Sequence, residues 1–112
     1  MDAATGISGC GVAFVLSFIE SLENAGVREG LPRLLARKLA IQTAVGSALM
    51  INDVVERNGI ENVHPAVLRG DVESPGGATI AGSLALEAGG FQSSIYDAVQ
   101  AATSKAKQLG KK

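Results

Sequence analysis

The stretch of this chain with the clearest potential for ligand binding is a Ser-Pro-Gly-Gly turn that leads directly into an apolar helical segment. Ser74 is predicted to cap this helix, and Gly76 and Gly77 let the backbone turn with no Cβ in the way. The amides of Gly77, Ala78 and Thr79 would then lack intrahelical acceptors and lie at the positive end of the helix dipole. This arrangement predicts a site for a small carboxylate or phosphate, with the Thr79 hydroxyl beside it. A plain turn followed by a capped helix is the alternative interpretation.

Other residues offer less chemistry. His64 is the one histidine, and its place before Pro65 indicates a helix start rather than a metal ligand or a catalytic base. Cys10 lies near a helix N-terminus, where a thiol can be reactive, but a small buried cysteine is the commoner case. Gly9-Cys10-Gly11 lacks the preceding strand that a dinucleotide-binding fingerprint needs. We predict no metal site, and any redox step would need a cofactor held elsewhere.

Composition and charge limit the class of protein. A chain of 112 residues is expected to form one domain with one core, burying roughly 60% or more of the surface of the unfolded chain. The net charge is −1 with basic residues spread along the chain, so we expect neither a nucleic acid nor a membrane as partner. One cysteine and the lack of a signal peptide predict a reducing, cytoplasmic compartment. The apolar run at residues 39–52 is too short and too polar to span a bilayer.

The elements that must position these residues are all predicted to be helices. Apolar residues recur at helical spacing from Val12 to Ala25, and Gly26 is predicted to be the C′ residue that ends this helix. A second helix is predicted from Pro32 to about Arg57. Three further helical segments are predicted at residues 66–69, after residue 79, and from residue 91 toward the C-terminus. No segment has the alternating pattern of a strand, so the fold class is all-α.

The second helix predicts an oligomer. Its apolar residues mark more than one face, with Leu39 on one and Ile41 on another. One chain of this length can hardly cover both faces. Small residues such as Ala44, Gly46 and Ala48 permit close helix approach, which indicates a second copy of the chain as the cover. Burial of the extra face inside the same chain is the alternative.

Five ordered blocks of this sequence match one family. They are TGISGCGVAF at residues 5–14, NAGVREGLPR at residues 24–33, His64-Pro65 with Leu68, SPGGATI at residues 74–80, and LEAGGF at residues 86–91. Together they resemble the C-terminal domain of pyrroline-5-carboxylate reductase across nearly the whole chain. The resemblance implies that residues 1–112 form a single helical dimerisation and substrate-binding domain of about five helices. In this arrangement two copies interlock as a homodimer, and dimers commonly assemble further into a ring.

The resemblance also implies an activity, the NAD(P)H-dependent reduction of the cyclic imine 1-pyrroline-5-carboxylate to L-proline in proline biosynthesis. The amides of Gly77, Ala78 and Thr79 would receive the substrate carboxylate. The Thr79 hydroxyl would hydrogen-bond the ring nitrogen, which makes it the candidate catalytic group. The implied substrate site comprises Val72, Ser74, Gly76, Gly77, Ala78 and Thr79. The implied cofactor-binding residues are Ser8, Cys10 and Asp71, with residues 8–11 forming a loop beside the pocket.

Several positions depart from the family pattern. Cys10 stands where the family usually has Ser, Val12 where it has Pro, and Phe14 where it has Tyr. The resemblance does not extend to an N-terminal Rossmann domain, so we expect the chain alone to bind NAD(P)H weakly or not at all. A separate Rossmann-domain chain is then a candidate partner. The alternative interpretation is a catalytically inactive, free-standing oligomerisation or regulatory module of the same fold.

Overall fold

The computed structural model describes residues 2–110, and every regular element in that range is helical. The all-α prediction is therefore confirmed for this part of the chain, which contains five helices of seven residues or more. In chain order the elements are α1 (Asp2–Ala4), a π-helical turn (Thr5–Gly9), α2 (Gly11–Arg28), α3 (Arg33–Asn58), a 3-10 turn (Ile60–Asn62), α4 (Pro65–Asp71), α5 (Ala78–Ala88) and α6 (Phe91–Gly110).

The Gly-rich start of the chain is helical, so the loop predicted at residues 8–11 is wrong. The π turn runs from α1 toward α2, and the Cys10 amide donates to the carbonyl oxygen of Thr5 at 3.0 Å. Gly6 is buried, and a Cβ at this position would lie 2.7 Å from Thr103 Oγ1 on α6. The missing side chain thus lets the π turn pack directly against α6.

Helices α2 and α3 form a tightly packed hairpin. Gly26 lies inside α2 rather than at its C′ position as predicted, and the chain reverses at Gly30, whose φ is +105°. The reason for a glycine at residue 26 is space, because a Cβ there would lie 3.1 Å from the Cβ of Ala36 on α3. Ala36 and Ala40 are the only buried hydrophobic residues among residues 2–110, and both belong to α3.

A charge cluster ties the same two helices together. Glu23 on α2 accepts hydrogen bonds from Arg33 Nη1 at 2.8 Å and from Arg37 Nε at 2.9 Å. Arg33 Nη1 also donates to Asn24 Oδ1 at 2.6 Å. The hydrogen bonds from Arg37 and Arg33 lower the pKa of Glu23 to about 2. The carboxylate therefore remains charged through the acid range in which ordinary glutamates become protonated.

Residues 2–110 bury no conventional core, which corrects the prediction of one core within the single chain. Its radius of gyration is 16.4 Å and its extents are 50 × 36 × 26 Å, whereas a compact domain of this length has a radius of gyration of about 13 Å. Large apolar side chains remain exposed on α3, including Leu34 at 74%, Leu39, Val45 and Leu49. The alternative in which the same chain buries the extra apolar face is therefore wrong.

Two helical stretches are long and apolar enough to cross a membrane by length and composition alone. They are residues Asp2–Arg28 and Arg33–Asn58. Residues 39–52 thus belong to a helix that is longer than the apolar run considered from the sequence. The helices of soluble proteins pass the same test, and a subunit interface also exposes such faces when one chain is viewed alone.

Candidate anion-binding site at the start of α5

The turn before α5 has the geometry that its sequence predicts. The Gly77 amide donates to the carbonyl oxygen of Ser74 at 3.0 Å, which closes a four-residue turn. Gly76 has φ +67°, and proline precedes it, as expected for the two central residues of a type II turn. The turn delivers the chain directly into α5 at Ala78.

The helix boundary differs from the prediction by three residues. Gly77, not Ser74, is the N-cap residue of α5, and no side chain caps the helix. Ser74 instead folds over the turn, since a Cβ on Gly77 would lie 2.6 Å from Ser74 Oγ. Its hydroxyl thus crowds Gly77, which explains why a residue without a side chain is needed there.

This boundary changes which amides are free to bind a ligand. The turn occupies the Gly77 amide, and the Ala81 amide donates to the Gly77 carbonyl oxygen at 3.4 Å, which opens the hydrogen bonding of the helix. The amides of Ala78, Thr79 and Ile80 therefore form the first turn of α5, where N–H groups lack intrahelical acceptors. Sequence reasoning missed Ile80 because it placed the cap too early. Three adjacent donors at the positive end of an 11-residue helix suit a small anion.

The predicted substrate residues form one continuous stretch of the chain. Asp71 is the last residue of α4, and Val72 follows it with an exposed side chain. Ser74, Gly76, Ala78 and Thr79 are also exposed, whereas Gly77 is partly covered. The Thr79 hydroxyl therefore belongs to the same solvent-accessible turn as the first amides of α5.

The predicted cofactor-binding residues do not come together in this way. Ser8 lies in the π turn and donates its hydroxyl to the Ala4 carbonyl oxygen at 2.9 Å, and Cys10 links that turn to α2. The π turn packs against α1, α2 and α6, whereas Asp71 lies at the end of α4. The cavity beside the π turn is lined by residues of that turn, α2 and α6 and by no residue at the end of α4.

Glu73 is a residue of this region that the sequence reading did not single out. Its side chain is only 11% exposed, and Oε2 is buried without a hydrogen-bond partner. Arg69 Nε, one helical turn earlier, is 3.7 Å from that oxygen. The signal in the sequence is the i, i+4 spacing of the opposite charges. Glu73 lines a cavity of about 190 Å³ between α4, α5 and α6.

The titratable residues do not assemble into a metal site. Within residues 2–110 there is no group of three or more His, Cys, Asp or Glu side chains close enough to hold a metal ion. The polar groups presented by the α4–α5 region are instead backbone donors and one hydroxyl. Such groups orient an anionic ligand by hydrogen bonds.

The all-helical fold and the apolar helix faces that one chain leaves exposed are typical of a domain that forms a subunit interface. The chain belongs to the pyrroline-5-carboxylate reductase dimerisation family, whose sequence model matches residues 1–109. The family resemblance noted from five sequence blocks is confirmed.

Individual relatives agree with this assignment. The chain is 49% identical over 112 residues to pyrroline-5-carboxylate reductase of Synechocystis sp. and covers 39% of that protein. It is 46% identical over 112 residues to pyrroline-5-carboxylate reductase 3 of Rattus norvegicus, of which it covers 38%. The crystal structure of Plasmodium falciparum pyrroline carboxylate reductase with NADP bound matches with a TM-score of 0.85 at 43% identity, covering 98% of this chain and 42% of that one. The chain therefore spans about two fifths of the length of these relatives.

Proposed function

We propose that this chain is the dimerisation and substrate-binding part of a pyrroline-5-carboxylate reductase, an enzyme that reduces 1-pyrroline-5-carboxylate to L-proline. The observation that carries the proposal is the exposed first turn of α5, in which unpaired amides adjoin the Thr79 hydroxyl. The family membership and the names of the relatives support the choice of substrate.

The geometry suggests how the substrate is oriented. The amides of Ala78, Thr79 and Ile80 would bind its carboxylate, since they lie at the positive end of the helix dipole. The Thr79 hydroxyl would then hydrogen-bond the ring nitrogen and hold the ring in one orientation. Val72, Ser74 and the turn at Gly76 and Gly77 would border the ring.

The cofactor would be held mainly by a domain outside this chain. Ser8 and Cys10 belong to the π turn region and Asp71 to the end of α4, so we expect this chain alone to bind NAD(P)H weakly or not at all. When bound, NAD(P)H would supply the hydride. The contributions of Ser8, Cys10 and Asp71 to its binding remain predictions.

The proposed assembly is a homodimer. A second copy would cover the apolar faces of α3 that one chain leaves in water, and Gly46 offers a close-approach position because nothing lies within 4 Å of a Cβ built there. Further association of dimers into a ring is proposed from the family resemblance.

The test of the substrate site is Thr79→Ala, with Thr43→Ala on α3 as the matched control. Loss of one buried hydrogen bond should weaken L-proline binding by about 1 to 2 kcal/mol. Isothermal titration calorimetry on both variants and the parent chain measures this. Equal affinities for the parent and Thr79→Ala would contradict a contact between Thr79 and the ligand.

A second candidate function is a catalytically inactive oligomerisation module. The substitutions at Cys10, Val12 and Phe14, which remove family-typical residues, favour this alternative. Steady-state NADPH oxidation with pyrroline-5-carboxylate separates the two functions. Activity that appears when a separate Rossmann-domain chain is added supports the enzyme, and its absence under every complementation supports the module.

A further inference from the structure

The turn before α5 has one inward-facing side chain. Of residues 72–77, Val72, Ser74, Pro75 and Gly76 are exposed and Gly77 has no side chain, whereas the Glu73 side chain is only 11% exposed. Glu73 therefore has the most covered side chain between α4 and α5.

The Glu73 side chain reaches between two helices. Behind it lies Arg69 on α4, and the α5 residues that line the cavity are Ile80, Ser83, Leu84, Leu86 and Glu87. Four of them follow the i, i+3, i+4, i+7 spacing of one helix face, and Leu86 lies beside that face. Glu73 thus connects the end of α4 with the side of α5, directly beside the turn.

Burial of the Glu73 carboxylate oxygen does not simply stabilise the fold. Oε2 is buried without a hydrogen-bond donor, and burial of such an oxygen is costly. The guanidinium of Arg69 at 3.7 Å offsets part of the cost by its charge, but it lies too far for a hydrogen bond. A locally unfavourable group beside a ligand site is typical of residues that are retained for function.

We propose that Glu73 is a positioning residue: its buried side chain anchors the Ser74–Gly77 turn against α4 and α5 so that the first amides of α5 converge on the ligand carboxylate. The second half of this inference rests on the proposed function. The covered shape of the side chain carries the anchoring, since Oε2 has no hydrogen-bond partner. Glu73→Gln, which has the same shape, should therefore retain the anchor, and Glu73→Ala should lose it.

The first measurement needs no ligand. The Gly77 amide donates to the Ser74 carbonyl oxygen, so its hydrogen exchange reports how often the turn opens. In the full chain, Glu73→Ala should speed exchange at Gly77 by about tenfold, the change that corresponds to one modest buried contact. Glu73→Gln should stay within about twofold of the parent chain.

The second measurement is the affinity for L-proline by calorimetry, with the unfolding midpoint recorded for each variant. Glu73→Ala should weaken binding by about tenfold, and Glu73→Gln should restore it. The control is Asp53→Ala, because Asp53 also pairs with an arginine four residues away but is 64% exposed. It should change neither Gly77 exchange nor affinity. If Glu73→Ala fails to fold, Glu73→Asp, whose side chain is one methylene shorter, replaces it.

The outcomes separate this inference from the proposed function. Unchanged Gly77 exchange in Glu73→Ala or Glu73→Asp would overturn the anchor, whatever the affinity. An equal loss in Glu73→Gln would overturn the role assigned to the shape of the side chain. If the parent chain binds no L-proline, the proposed function is contradicted, while faster exchange in Glu73→Ala alone still supports the anchor.

Discussion

The α2–α3 hairpin and the α4–α5 segment differ in how many of their packing and hydrogen-bonding groups find partners within the chain. In the hairpin, Gly26 lets two long helices touch at Ala36, and Glu23 joins them through Arg33 and Arg37. In the α4–α5 segment, a seven-residue helix leads into an exposed turn with one inward side chain, Glu73. The first region is held by contacts within the chain, whereas the second leaves polar backbone groups unpaired.

The difference shows how one small chain can serve two roles. The faces of α2 and α3 that meet are packed, but apolar side chains on the outer face of the hairpin stay exposed. That outer face would be buried by contact with another protein surface. The segment leaves N–H donors at a helix start, which water can satisfy and which, under the proposed function, would bind a small anion. Substitutions in the hairpin should therefore change assembly and stability, and those in the turn should change ligand binding.

Gly46→Leu should have the largest effect, because it places a bulky side chain on the exposed face of α3 where close helix approach is expected. We expect the homodimer to weaken by about 3 kcal/mol, giving monomer or aggregate in light scattering. Lys38→Leu adds the same side chain at another exposed position of α3 and should leave the dimer intact. A dimer that withstands Gly46→Leu would remove Gly46 from the interface.

Gly26→Leu tests the inner face of the hairpin. Since a Cβ alone would lie 3.1 Å from the Cβ of Ala36, the larger side chain must force α2 and α3 apart. The free energy of unfolding should fall by about 2 kcal/mol in denaturant titrations. Glu20→Leu, at an exposed position of α2, serves as the control. If both variants are equally stable, the close approach at Gly26 is not needed.

Gly77→Ala tests the turn. Its Cβ would lie 2.6 Å from Ser74 Oγ, so the hydroxyl and the turn must shift. L-proline affinity should fall by about 1 kcal/mol, with a smaller change in stability. Gly70→Ala is the control, since a Cβ at Gly70 meets nothing within 4 Å. A loss of stability without a loss of affinity would place Gly77 with the hairpin residues, as a packing position.

Of these variants, Glu23→Gln should have the smallest effect at neutral pH. It tests how the stability of the chain depends on pH in the acid range. The folded-state pKa of Glu23 is lowered from 4.5 to about 2 by Arg37 and Arg33. The stability that this shift provides is fully present above pH 4.5 and is lost as the pH falls toward 2. Thermal unfolding across this range should therefore show a flatter acid dependence for Glu23→Gln than for the parent chain. Asp53→Asn, at an exposed pair, should follow the parent profile.

The helical spacing of apolar residues and the positions of Pro and Gly at helix ends predicted most of the fold. Pro32 and Gly59 bound α3 almost where the sequence indicates, and Pro65 begins α4 as expected. Gly26 misled the prediction because a glycine inside a helix can serve close packing, a reason that only the neighbouring helix reveals. The helical start of the chain was missed because a π turn packed on α6 has no simple sequence period.

The candidate site was predicted in part. The Ser-Pro-Gly-Gly sequence located the turn. The predicted amide donors began one residue too early, with Gly77 included and Ile80 left out. Which residue caps a helix depends on backbone angles that Ser74 alone does not determine. Glu73 was missed because a glutamate is expected in solvent, and only the packing of α5 shows that it is covered.

The scarcity of buried side chains in α3 has a thermodynamic consequence. Only Ala36 and Ala40 are enclosed among the apolar residues of 2–110, so we expect association to supply much of the free energy that keeps the chain folded and to couple folding to assembly. Its melting temperature should then rise with protein concentration, and dilution alone should favour the unfolded chain.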